Sequence, residues 1–205
     1  MSRLKFLNFL KQRQSKYVRK ITLREQLDKI MDRQIVMTES VEEIIKQPLQ
    51  GIKYAIIGGH AINIHGTNRM TQDIDILINP TDWEQVVSRL GGEITQLQSP
   101  RPDRPINAIS VNSGRAIIDL IWIDQPWAEE ALAQAISTRH GNVISKPYLV
   151  LTKLWAGRGE QDDTDIISIL RVMTPEDKAK TAELVRRHIG EDIEDFDQMI
   201  AISEM

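Results

Sequence analysis

Two kinds of periodicity divide this sequence, and together they predict an α+β fold. Residues 52–124 hold short runs rich in Ile and Val, separated by turn residues, which is the mark of strands. The flanking stretches instead repeat apolar residues at helical spacing. The expected organisation is a helical N-terminal extension (1–50), an α/β core carrying a mixed sheet flanked by helices (51–125), and a mainly helical C-terminal part (126–205).

With 205 residues, the chain can bury a proper core. Its formal charge of −3 and ordinary apolar content argue against global disorder and against a protein that coats nucleic acid. Cysteine is absent, which excludes a disulfide framework, a thiolate zinc site and a cysteine nucleophile, and fits a cytoplasmic location. No apolar run approaches the roughly 18 residues of a membrane span, so no membrane partner is expected.

Taken in order, the first stretch "MSRLKFLNFLKQRQSKYVRK" is basic, with Leu4, Leu7 and Leu10 on one helical face. It reads either as an arm for an acidic surface or RNA, or as a helix packed on its own domain with a solvated basic side. From Ile21 to Gln47 the helical spacing continues through Leu23, Leu27, Ile30, Val41 and Ile44, and Pro48 and Gly51 end it. That segment could cover its own sheet or form a homodimer. "PTDWEQVVSRLGG" predicts a helix capped by Thr81 with Glu84 as capping box and closed by Gly91. Beyond Pro126 a strand is expected near Asn142–Ser145, then helices from Pro147 to Gly157 and from Asp162 to Met173. A last helix is expected from the Thr174 cap to Gly190. The terminal "EDIEDFDQMIAISEM" is acidic and could attract the basic start.

Within "TQDIDILINP", Asp73 and Asp75 share one strand face, roughly 6.5–7 Å apart, while Ile74, Ile76 and Ile78 point to the core. Like charges held side by side repel, and a divalent cation of the Mg²⁺ or Mn²⁺ kind relieves them. A second sheet face that is simply wet would also tolerate the pair. Asp119 interrupts the apolar run "IIDLIWI", where Asp has poor strand propensity. If that strand neighbours the first, three carboxylates gather, a set able to hold two Mg²⁺ for in-line displacement at phosphorus.

"AIIGGHAINIHG" reads as a strand, a Gly58-Gly59 turn and a short helix. Such a corner can seat phosphate on free backbone N–H groups, or be only a tight turn. It has neither the three-glycine dinucleotide fingerprint nor the P-loop ending.

These residues resemble the nucleotidyltransferase superfamily related to DNA polymerase β, through Gly58, Gly59, Asp73, Asp75 and Asp119. The string "GGHAINIHGTNRMTQDIDILI" is similar to a bacterial subgroup that includes abortive-infection toxins and aminoglycoside nucleotidyltransferases; Arg69 and Thr71 fill its Arg-x-Thr places. "LTKLWAGRGEQDDTDI" resembles the subgroup's later motif through Lys153, Arg158, Asp162 and Asp165. The likeness spans about residues 52–170. It departs at Gly59, where many members carry Ser, and at His60, where a small or aliphatic residue is commoner.

The resemblance implies a nucleotidyltransferase-like sheet and transfer of a nucleoside monophosphate from an NTP, ATP among the candidates, to a hydroxyl acceptor. RNA, a protein or a small molecule could serve as that acceptor. It implies Mg²⁺ or Mn²⁺ on Asp73, Asp75 and Asp119, nucleotide on Gly58, Gly59, Arg69, Thr71 and Lys153, and an antitoxin as a conceivable partner. A non-catalytic nucleotide- or protein-binding member of the same fold is the alternative. On the residues alone, Lys153 either reaches a phosphate or snorkels at a helix edge. Arg158 and Asp162 could pair along a helix, Asp165 could orient Lys153 or Arg158, and Trp155 could be core or stack on a base.

Overall fold

A computed structural model describes residues 40–205. The basic arm of residues 1–20, and the segment from Ile21 up to residue 39, lie outside the described residues, as do the RNA and dimer readings placed on them. The fold is a mixed seven-stranded sheet with helices, in the strand order β3-β4-β5-β2-β1-β7-β6.

The described chain opens with α1 (Val41–Ile45). Ser40 accepts from the Glu43 N–H at 3.3 Å, and the Glu43 carboxylate accepts from the Ser40 N–H at 2.9 Å. This reciprocal cap sets a helix start inside a stretch whose periodicity reads as continuous. The sheet's centre is β1 (Tyr54–Ile56), β2 (Asp73–Ile78) and β5 (Ile117–Trp122). Strand β2 runs antiparallel to β1 and parallel to β5. In β2, Ile74, Ile76, Leu77 and Ile78 are at most 1% exposed. Each contributes about 1.5–3 kcal/mol of burial, which ties the register down because a slip by one residue would exchange the faces.

Helix α2 (Gly58–Ile64) links β1 to β2, and α3 (Trp83–Leu90) follows β2. Ile45, Pro48 and Leu49 meet Val86 and Leu90 of α3 over Ile76, Ile118 and Leu120, forming one apolar seam on one sheet face. The capping box expected at Thr81 and Glu84 does not form. Asp82 occupies the cap position in a helical conformation (φ −103°, ψ −13°) without a side-chain cap bond. The Thr81 hydroxyl instead meets the Asp82 carboxylate at 3.4 Å. Gly91 does close the helix, at φ 61°.

Strands β3 (Glu93–Leu97) and β4 (Asn107–Asn112) extend the sheet antiparallel beyond β5. After α4 (Pro126–Ala133), the hairpin β6 (Ile136–Thr138) and β7 (Gly141–Val143) completes the other edge, with β7 parallel to β1. Two strands thus come from the stretch read as mainly helical.

Helix α5 (Lys146–Ala156) is buried on every side from Pro147 onward, and Gly157 ends it in the left-handed region. A helix apolar nearly all round belongs in a protein interior, and α5 packs against α6 (Glu160–Arg171) and α7 (Pro175–His188). Thr174 caps α7 by accepting from the Asp177 N–H. The acidic C-terminal stretch folds as a further helix, α8 (Ile193–Ser203), burying Phe196, Met199 and Ile202 at helical spacing against α6 and α7. Among the described residues no helix is long and apolar enough to cross a membrane.

Candidate active site

The parallel pairing of β2 with β5 puts Asp75 directly beside Asp119, and Asp73 beside Ile117. Strand alternation then places Asp73, Asp75 and Asp119 on one face, opposite the apolar seam. Asp119 is 5% exposed, and the other two are half-buried.

Each carboxylate has its own support. Thr71 donates its hydroxyl to Asp73 Oδ1 at 3.2 Å and faces the Asp73 carbonyl at 3.3 Å. Ser110, paired with Asp119 across the β4–β5 ladder, donates to Asp119 Oδ1 at 2.6 Å. Asp75 rests on the glycine corner. The Ile57 N–H donates to the Asp75 carbonyl at 2.9 Å, which brings the next residue, Gly58, against the Asp75 side chain. Gly58 sits at φ +59°, and a Cβ there would lie 1.8 Å from Asp75 Oδ2. Burial, then repulsion by Asp73 and Asp119, pushes the Asp75 carboxyl up to about 7 against the opposing pull of Arg158 and Lys153.

Gly59 is required for a different approach: a Cβ would meet Thr71 Oγ1 at 2.6 Å and Arg69 Nη1 at 3.2 Å. Both glycines therefore admit neighbouring side chains of this chain. Helix α2 has only seven residues, so its dipole adds little to a phosphate seat. Asn63, which the sequence did not single out, grips the Arg69 backbone with two bonds of 2.7 Å, donating to its carbonyl and accepting from its N–H.

The later motif forms a charge network. Arg69 pairs with Asp165 at 3.0 Å, and Lys153 pairs with Asp165 at 2.6 Å and with Asp162 at 3.1 Å. Arg158 holds Asp162 through Nε at 3.1 Å, Nη2 at 3.0 Å and its backbone N–H at 2.9 Å. Burial works against the Asp162 anion, but Arg158 and Lys153 outweigh it and hold the carboxyl well below the usual carboxylate range. Lys153 is 3% exposed, so it does not snorkel at an edge; it is neutralised by two aspartates. Three cations against two anions leave this network positive beside the three acids.

His65 donates Nε2–H to the Ile144 carbonyl at 2.7 Å, which makes it a strut between α2 and the start of α5. His60 has its Nε2 buried without a partner among the described residues. Burial holds its pKa down, with Asp73 pulling the other way. Trp155 is 6% exposed, edge-on to Trp127 at 5.6 Å, and lies beneath Arg104 at 5.8 Å. It is a core residue.

The donors fit a hard divalent cation. They are carboxylate oxygens on one face, two of them on directly paired positions, with a mutual repulsion that a cation would remove. Among the described residues, no three His, Asp or Glu side chains close around a common point as placed. Thr71 and Ser110 each hydrogen-bond one carboxylate, and Gly58 leaves the space that the Asp75 carboxylate fills.

No protein-family model matches the sequence, and neither does any curated protein. Among solved structures, the chain is similar to the antibiotic-resistance factor ANT(2'')-Ia, at 17% identity over 73% of this chain and 94% of that one, with a TM-score of 0.47. It is also similar to JHP933 from Helicobacter pylori, at 12% identity over 80% of this chain and 87% of that one, with a TM-score of 0.43. A further H. pylori protein, provisionally described as a nucleotidyltransferase, matches at 11% identity over 89% of this chain and 94% of its own, again with a TM-score of 0.43. Likeness at this level carries neither an activity nor an acceptor across to this chain.

Proposed function

We propose that this chain is a divalent-metal-dependent nucleotidyltransferase, moving a nucleoside monophosphate from an NTP to a hydroxyl acceptor. The observation that carries the reading is the Asp75–Asp119 register beside the Gly58 corner, with Asp73 on the same face. A sheet gains no stability from three carboxylates on one half-buried face, whereas phosphoryl displacement needs charge of this kind to hold metal.

Asp73, Asp75 and Asp119 would hold Mg²⁺ or Mn²⁺. When bound, the metal supplies neutralisation of the triphosphate and of the charge that develops at phosphorus. The chain's own residues orient and neutralise. Thr71 keeps Asp73 turned to the site face, and Arg69 lies at the glycine corner, where a guanidinium can meet phosphate oxygens bidentately. Lys153 and Arg158 act on Asp75 through space and favour its ionised form, which is the form that ligates. Asp119, deepest of the three, is the candidate to draw the proton from the acceptor hydroxyl.

A second reading has one observation in its favour: Arg69 and Lys153, the cations a triphosphate would use, are already paired with Asp165 and Asp162. A non-catalytic binding member would keep such pairs closed. One experiment separates the two. Radiolabelled NTPs are incubated with Mg²⁺ and total RNA, lysate protein or a panel of hydroxylated small molecules, and pyrophosphate release is followed. Turnover that falls more than about 100-fold in Asp73→Ala, Asp75→Ala and Asp119→Ala supports the transferase. Nucleotide binding that needs no Mg²⁺, with no release against any acceptor, supports the binding module.

A further inference from the structure

We infer that Ser110 is a positioning residue for Asp119, setting the orientation in which that carboxylate meets a divalent cation; the inference rests on the metal-dependent reading above. Asp119 is 5% exposed and interrupts a buried apolar strand, with Ile118 and Leu120 on either side. A carboxylate at such a depth keeps its charge only where donors replace lost water. The Ser110 hydroxyl is one such donor, at 2.6 Å from Oδ1.

What distinguishes this bond is its footing. Ser110 and Asp119 are cross-strand partners inside a ladder that pairs β4 with β5 from Asn107–Trp122 to Asn112–Ile117. Side chains directly opposed in an antiparallel pair stand about 4.5–5.5 Å apart at Cβ. That leaves a serine hydroxyl and an aspartate carboxyl few ways to meet. Two rigid strands therefore fix the torsion of the Asp119 carboxyl, and neither group depends on a loop. A hydroxyl carries one proton, and donating it to Oδ1 selects which carboxylate oxygen is engaged and turns the carboxyl plane accordingly. Groups that hold metal-ligating carboxylates in this way cost roughly 10–100-fold in metal affinity or activity when removed.

The test compares Ser110→Thr with Ser110→Val, which match in shape and strand preference and differ by the hydroxyl, with Ser110→Ala as a third variant. Mn²⁺ binding to the full chain is measured by electron paramagnetic resonance, thermal melting reports folding, and pyrophosphate release gives kcat and the nucleotide KM. The expected result is Mn²⁺ affinity and kcat near wild type in Ser110→Thr. In Ser110→Val and Ser110→Ala both should drop by roughly 10–100-fold with the nucleotide KM unchanged. Equal behaviour of the Thr and Val variants would show a packing role and overturn the inference, as would wild-type Mn²⁺ affinity in Ser110→Ala. If the wild-type chain binds no Mn²⁺ and releases no pyrophosphate, the metal-dependent reading fails and takes this inference with it. If the wild type does both and only the Ser110 variants are indifferent, the inference alone falls.

Discussion

Gly58 shows how much a single backbone position decides. A φ of +59° costs a residue with a Cβ roughly 1–2 kcal/mol, and here that Cβ would also fall 1.8 Å from Asp75 Oδ2. Gly58→Ala is expected to strain the corner and expel the Asp75 carboxyl together. It should lower the melting temperature and weaken Mn²⁺ binding in one step. The Gly66→Ala variant is a control for backbone strain alone, because Gly66 also has a positive φ (99°) but open space around it. It should lose stability without losing metal affinity, and a Gly58→Ala chain that keeps wild-type Mn²⁺ affinity would contradict the packing argument. Gly59, whose position after the strand suggests a phosphate seat, also leaves the room that Thr71 and Arg69 occupy.

Between elements, the loop joining β3 to β4 is fastened to the helical part by Arg104. This residue is 3% exposed, donates to the Leu154 carbonyl at 3.2 Å and pairs with Asp192 at 2.6 Å and Glu191 at 2.5 Å. Guanidinium burial leaves no periodic trace, so nothing in "RPDRP" marks Arg104 as buried. Asp192 is itself 3% exposed. Arg104→Ala would strand a buried anion, and urea unfolding should show a loss of about 3–5 kcal/mol. The double variant Arg104→Ala/Asp192→Ala should recover part of that loss. A single-variant loss below about 1 kcal/mol would mean that the clamp is solvated.

Across the whole molecule, the acids and the charge network make stability depend on pH in opposite senses. An unfolded chain gives up the Asp75 proton near the ordinary aspartate value of about 4, whereas the folded chain keeps it up to about 7. Between those values the folded state binds more protons, so stability falls as pH rises. Asp162, held low by Arg158 and Lys153, contributes stability above the ordinary aspartate value and loses it as pH falls further. With a chelator present, Asp75→Asn should therefore melt above wild type at about pH 8 and match it near pH 4. Mg²⁺ should raise the wild-type melting point at the higher pH, since a ligand bound only by the folded state stabilises it, and should do little for Asp75→Asn. Equal melting points at both pH values would show that Asp75 ionises freely in the fold.

The sequence by itself determined the α+β class, the central strands and the later helices, because alternation and helical spacing are local signals that burial reinforces. It also singled out the Asp73–Asp75 couple and Asp119, since acids inside apolar runs are conspicuous. Their spacing suggested divalent-metal chemistry at phosphorus, and resemblance to a family supplied the expectation of nucleotidyl transfer. Three things were decided only in the tertiary structure. The β2–β5 register set Asp75 beside Asp119, the β4–β5 ladder delivered Ser110 to Asp119, and the packing of α5 on α6 gave Lys153 its two aspartate partners. The physical reason is common to all three. Pairings between residues distant along the chain are fixed by which apolar faces bury together, and no local periodicity encodes that choice.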